Sequence, residues 1–125
     1  DVKALVRMGA DCGVPLDVLT AVESANERQK RVLVEKVRSA LDNQLKGKRI
    51  AIWGLAFKAG TDDMREAPSL TLIQALLDEG VTICAHDPAA IEHTRALVGN
   101  RIDYAETNYE ALVGADGLVV VTDWN

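Results

Sequence analysis

Apolar positions recur with a helical period through the first third of the chain and then change period. Leu5, Met8 and Cys12 fall at helical spacing, and Gly13 is a good helix stop. Pro15 suits the first turn of a second helix. Along that helix Val18, Val22, Ala25, Leu33, Val37 and Leu41 mark one stripe, with Gln29 its only polar interruption. Glu27 and Arg31 are spaced for a favourable i,i+4 ion pair on the polar side. A helix of roughly 27 residues spans about 40 Å, longer than a domain of this size covers. Such a helix is expected to connect two domains or to pack against another subunit, in preference to lying on its own chain's surface.

After "QLKGK" the pattern is that of alternating strands and helices. "RIAIWGLAF" is a nearly continuous apolar run of strand length, and "PSLTLIQALLDE" is helical, with Pro68 near its start and Gly80 as its stop. "VTICAH" reads as a strand closed by the turn pair Asp87-Pro88, "AAIEHTRALVG" as a helix, "RIDYA" as a short strand, "NYEALVG" as a short helix and "GLVVVT" as a buried strand. Strands alternating with helices of about ten residues mean βαβ units and a parallel sheet. The expected fold class is α/β, a Rossmann-like parallel-sheet domain over residues 46–125, preceded by a long α-helical connector over residues 1–45.

Composition narrows the possibilities. The 125 residues suit one domain with an appended helix and can bury roughly two thirds of their unfolded surface. Net charge is −5, so the bulk surface repels nucleic acid and anionic membrane, and an anionic ligand needs a local cationic site. Cys12 and Cys84 are far apart and are expected to be small reduced core residues, not a disulfide or a metal site. No apolar run approaches ~20 residues and no signal segment opens the chain, which reads as cytoplasmic. The missing initiating Met and the stop just beyond a strand read as cuts through a longer chain.

The segment "FKAGTDDMREAPS", residues 57–69, leaves the carboxyl end of the first strand, where open parallel sheets bind ligands. It carries Lys58, Asp62, Asp63, Arg65 and Glu66, more charge of both signs than a plain turn needs. The dinucleotide fingerprint G-x-G-x-x-G is absent, since "GLAFKAG" offers only Gly54 and Gly60. Phosphate recognition therefore falls to the loop's cations. Lys58 is either a solvated lysine or, beside Phe57, an ammonium that meets a ligand oxygen while the ring stacks on a base or sugar. Arg65 is placed to pair with Asp62, Asp63 or Glu66 and still offer free donors. Asp62-Asp63 raises a metal or phosphoacceptor site, but Asp103 lies within its strand and no lysine follows Lys58, so Asp63 is read as accepting backbone N–H groups or holding Arg65. Asp87 stands where Rossmann domains place the ribose-gripping acid; without the glycines a plain turn is favoured. His86 and His93 have no third ligand, and no metal is expected.

"GLAFKAGTDDMREAPS" resembles the signature of the carboxy-terminal domain of the UDP-glucose/GDP-mannose dehydrogenase family, and the resemblance continues through "LLDEGVTICAHDP" and "GADGLVVVTDW". It runs back through "GVPLDVLTAVESANERQKRVLVEKV", which is similar to the family's central helix, so nearly the whole chain is covered. "REAPS" and "NERQKRVLVEK" are most similar to the UDP-glucose branch, while "FKAGTDD" also occurs in the GDP-mannose branch.

This resemblance implies a four-electron oxidation of a sugar alcohol to an acid, through a cysteine thioester and two NAD. UDP-glucose is the implied substrate, with a homodimer formed through the central helix. It implies that Lys58, with Phe57 beside it, binds the nucleotide sugar and that Arg65 reaches NAD. The family's catalytic cysteine sits in a G-G-S-C-F-P-K-D segment, and "DVKAL" matches from the final aspartate onward. Asp1 is thus the implied aspartate that orients water for thioester hydrolysis, with the cysteine expected upstream of it and this chain inactive alone. GDP-mannose or another UDP-sugar is the alternative substrate, and a free-standing binding module without activity is the alternative of another class.

Overall fold

The computed structural model describes all residues, Asp1–Asn125. Helices α1 (Val2–Asp11) and α2 (Asp17–Ala40) open the chain. They are followed by β1 (Arg49–Trp53), α3 (Pro68–Asp78), β2 (Thr82–His86), α4 (Ile91–Val98), a 3-10 turn (Gly99–Arg101), β3 (Asp103–Tyr104), α5 (Asn108–Ala111) and β4 (Gly117–Val120). No helix is long and apolar enough to cross a membrane. Two compact units emerge, Asp1–Val32 and Leu33–Asn125, so the last turns of α2 belong to the second.

In the first unit α1 closes on the segment entering α2 at Gly9, where a Cβ would fall 2.7 Å from Leu16 Cδ1. Lys3 of α1 reaches Glu23 at 3.3 Å and Glu27 at 3.2 Å, and Lys30 joins Glu27 at 3.0 Å. Glu27 therefore pairs with Lys3 and Lys30 and not with Arg31 as expected, because a cation from α1 and one at i+3 already fill its carboxylate. The apolar residues Leu5, Met8, Val18 and Val22 face solvent. Cys12 is exposed with them, against the expectation of a core residue; Cys84 is buried as expected, and burial pushes its thiol pKa up.

In the second unit the parallel strands follow the order β3-β2-β1-β4. The fold is α/β and Rossmann-like. Helix α2 supplies buried Val34 and Val37 to it, and Arg38 Nε donates to Glu79 at 2.7 Å, tying the last turn of α2 to the end of α3. The helix stops after 24 residues, short of the expected length, because Asp42 and Asn43 adopt left-handed backbone and the Asn43 N–H closes on the Arg38 carbonyl at 2.8 Å. Strand pleat sorts β1 between two layers. Ile50 and Ile52 pack with Leu72, Ile73 and Leu76 of α3, while Ala51 packs with Cys84 and with Ala111 of α5. Trp53 joins that second layer, donating to the Asn108 carbonyl at 2.7 Å.

The apolar run expected to stay a strand to Phe57 leaves the sheet at Gly54. There φ is +82°, and a Cβ would fall 2.1 Å from the Thr122 carbonyl oxygen, so the backbone beyond β4 lies directly against it. Gly60 has a similar φ of +78° but nothing within 4 Å of a Cβ. Gly54→Ala is therefore expected to cost about 3 kcal/mol or more, from both backbone strain and collision, and Gly60→Ala only about 1 kcal/mol. Urea denaturation of the two variants checks this, and equal losses would contradict the close approach at Gly54.

Candidate functional site

The chain steps from β1 out to β2 and β3, then returns to the other side of β1 as β4. The carboxyl ends of β1 and β4 therefore form the switch point at which such sheets bind ligands. The segment from Gly54 to Ala67 leaves β1 there, and Thr122 and Trp124 follow β4 there.

Leu55 and Ala56 are fully buried but belong to no ladder, and side chains take over their backbone groups. Both N–H groups donate to Asp87 Oδ2, at 2.6 and 3.0 Å. The Leu55 carbonyl accepts from the Ser69 hydroxyl and the Ala56 carbonyl from the Thr122 hydroxyl. Asp87, only 2% exposed, also accepts from Ala89 N at 2.8 Å and Ala90 N at 2.7 Å through Oδ1, and from Trp124 Nε1 at 3.1 Å through Oδ2. Burial pushes this carboxyl up, but the N–H groups of Leu55, Ala56, Ala89 and Ala90 outweigh it and hold it below the ordinary carboxylate range. Asp87 does cap the turn expected of it, and it also joins two distant segments, Leu55-Ala56 and Trp124.

Beyond this anchor the chain makes a closed loop, with Phe57 N–H donating to the Asp63 carbonyl at 2.8 Å. Phe57 is half exposed at 51%, and Lys58 is exposed and makes no ion pair. The returning limb is fastened to α4. Met64 is buried beneath it, with Thr94 Oγ1 at 3.4 Å from its sulfur, and His93 Nδ1 lies 3.0 Å from the Asp62 carbonyl oxygen. A concavity of about 710 Å³ lies between this limb and α4, bordered by Arg65, Leu70, His93 and Leu97; Lys58 is not among its walls.

Asp63 takes both roles foreseen for it. Its carboxylate accepts the Arg65 N–H at 2.9 Å and holds the guanidinium through Nε at 3.0 Å and Nη2 at 2.8 Å. This leaves Nη1 outside any hydrogen bond on a side chain that is 89% exposed. Glu66 follows in left-handed backbone, at φ 58°, before Pro68 starts α3. Phe57, Lys58 and Arg65 thus share one braced loop. Asp1 belongs to the other unit, where it caps α1 by accepting the Lys3 N–H at 3.0 Å. His86 points its Nδ1 at the Ala105 carbonyl oxygen, 3.0 Å away, and no three His, Cys, Asp or Glu side chains gather as a metal-ligand set.

Sheet order and a charged loop at the switch point, without a glycine cradle, define a Rossmann-like domain of the kind that binds ligands at the carboxyl ends of its strands. Residues 51–125 match the UDP binding domain of the UDP-glucose/GDP-mannose dehydrogenase family, and the chain belongs to that family. It is 44% identical to a UDP-glucose 6-dehydrogenase of Pseudomonas aeruginosa, over 99% of this chain and 28% of that protein. It is 38% identical to one of Rhizobium meliloti, over 100% of this chain and 28% of that protein. The solved structure of a UDP-glucose dehydrogenase from Pyrobaculum islandicum superposes with a TM-score of 0.89 at 32% identity, over 98% of this chain and 28% of that one. The chain thus spans little more than a quarter of the length of these relatives.

The Asp63–Arg65 pair gives a pH signature. The Arg65 guanidinium holds the Asp63 carboxyl down at about 2. Because the folded value lies below the ordinary ~3.9, the pair's contribution is present above pH ~4 and is lost as pH falls through the folded value. A carboxyl NMR titration is expected to place Asp63 near 2 and, in Arg65→Ala, to return it toward ~4. An ordinary midpoint in the unaltered chain would contradict the pairing.

Proposed function

We propose that this chain is the nucleotide-sugar-binding part, with the central helices, of an NAD-dependent UDP-glucose 6-dehydrogenase. The whole protein would oxidise UDP-glucose to UDP-glucuronate by two hydride transfers through a cysteine thioester. The observation that carries the reading is Lys58, an unpaired cation beside a half-exposed aromatic ring, on a pinned loop at the sheet's switch point. An ammonium there meets phosphate oxygens of the nucleotide sugar, while the Phe57 ring offers a face to base or sugar. In a chain of net charge −5 this local cation draws an anionic ligand to one place.

NAD, when bound, supplies the hydride acceptor. Of the residues in this chain, Arg65 fits it: Asp63 orients the guanidinium and Nη1 remains available for a phosphate. The Gly54 segment does not fit a dinucleotide cradle, since Thr122 covers it. Asp1, the N-cap of α1, is the residue assigned to orienting water for hydrolysis. The names of the relatives favour UDP-glucose over GDP-mannose as the substrate.

A homodimer through α2 is part of the proposal. Leu5, Met8, Val14, Val18 and Val22 are exposed within the first unit alone, and a patch of this kind is covered in stable soluble proteins. Val18→Glu with Val22→Glu is expected to convert a dimer to a monomer in light scattering; a monomer before any substitution would contradict it.

Kinetics separate the two cations in the full-length enzyme. Lys58→Ala is expected to raise KM for the nucleotide sugar roughly ten- to a hundredfold, and Arg65→Ala to raise mainly KM for NAD, by the loss of one charge-assisted hydrogen bond each. Equal changes for both ligands in both variants, with lowered melting temperature, would reduce the two residues to braces of the loop.

A further inference from the structure

We propose that Asp87 is a positioning residue for the nucleotide ligand, because its carboxylate sets the two peptides from which Phe57 and Lys58 are presented. The inference rests on the assignment of Phe57 and Lys58 as ligand contacts made above. A turn-capping aspartate needs only the N–H groups that follow it, here those of Ala89 and Ala90, and Oδ1 serves both. Oδ2 does something else: it gathers Leu55 N, Ala56 N and Trp124 Nε1, all more than thirty positions away in sequence.

Those three donors come from the two chain segments that meet at the switch point. With the Ser69 and Thr122 hydroxyls on their carbonyls, the Leu55 and Ala56 peptides are held from both sides. Their orientation fixes where the next residues leave the protein, and Phe57 and Lys58 are those residues. Asp87 itself is 2% exposed, so it acts through the loop and not by touching a ligand.

An amide cannot replace this carboxylate. Asn offers one acceptor oxygen, and its NH₂ would face N–H donors on the other side, leaving buried donors unpaired whichever way it turns. The segment then loses its fixed exit while β1, β2 and α3 keep their ladders and packing.

The test is calorimetric titration of the 125-residue chain with UDP, beside a melting curve. Asp87→Asn is expected to weaken UDP binding roughly tenfold or more. Leu76→Ala serves as the control for stability alone, since its backbone carbonyl meets Glu79 and Val81 at the entry to β2, at the far end of the sheet. It is expected to lower the melting temperature and leave UDP affinity within about twofold. If Asp87→Asn does not fold, Thr122→Val reads the same Ala56 peptide from its carbonyl side: several-fold weaker binding supports the inference, and unchanged affinity overturns it. Equal UDP affinity in Asp87→Asn and the unaltered chain overturns the inference alone. Absence of UDP binding by the unaltered chain overturns the ligand assignment, and the inference with it.

Discussion

A carboxylate with almost no access to water holds the ligand-facing end of this sheet together. Asp87 follows β2, starts the turn into α4, receives N–H groups of the first peptides after Gly54 and takes the indole N–H of Trp124 beyond β4. A buried charge is tolerable only where donors replace the water it has lost, and here five do so. Since those donors lie on three separate segments, satisfying the charge and assembling the switch point are one event. Gly54 follows from the same constraint: the chain must turn out of β1 where Thr122 lies against it, and no side chain fits between.

The loop's mixed charge divides along its length. Its first residues are neutral and buried, its tip carries a lone cation, and its returning limb holds an internal ion pair. Asp63 holds Arg65, and Asp62 lies within 3.5 Å of His93. Pairing costs Arg65 little of its use, since a guanidinium fixed on one edge keeps donors on another. Lys58 makes no ion pair, which leaves it available for the ligand proposed above. Rigidity at the root and spare cations at the surface are what a site for phosphorylated ligands requires.

Sequence made much of this legible, and the limits have physical reasons. The change from helical to alternating periodicity marked the parallel sheet because apolar runs of strand length are bounded by Gly and Pro turns. Asp63 and Arg65 were legible because two positions of separation put them within reach in almost any turn. Asp87 was legible as a turn and not as the centre of the site, since Leu55, Ala56 and Trp124 reach it across the fold. The end of β1 was misjudged for a related reason: Leu55 and Ala56 are as apolar and buried as a strand, yet side chains bond their peptides. In the first unit, length and periodicity marked the α2 stripe at Val18 as surface that the domain does not cover, but not that Leu5 and Met8 would also stay exposed, and the acceptor capacity of Glu27 went to α1.

If side chains hold the exit from β1 as firmly as a sheet would, hydrogen exchange must show it. The amides of Leu55 and Ala56 lie outside every strand, and ordinary loop amides open with little free energy. Residue-resolved exchange on the intact chain is predicted to give these two amides protection comparable to Ile50 and Ile52 in β1, and to find Ala59 and Gly60 at the loop tip exchanging freely. Exchange of Leu55 and Ala56 at the rate of the tip would contradict the account.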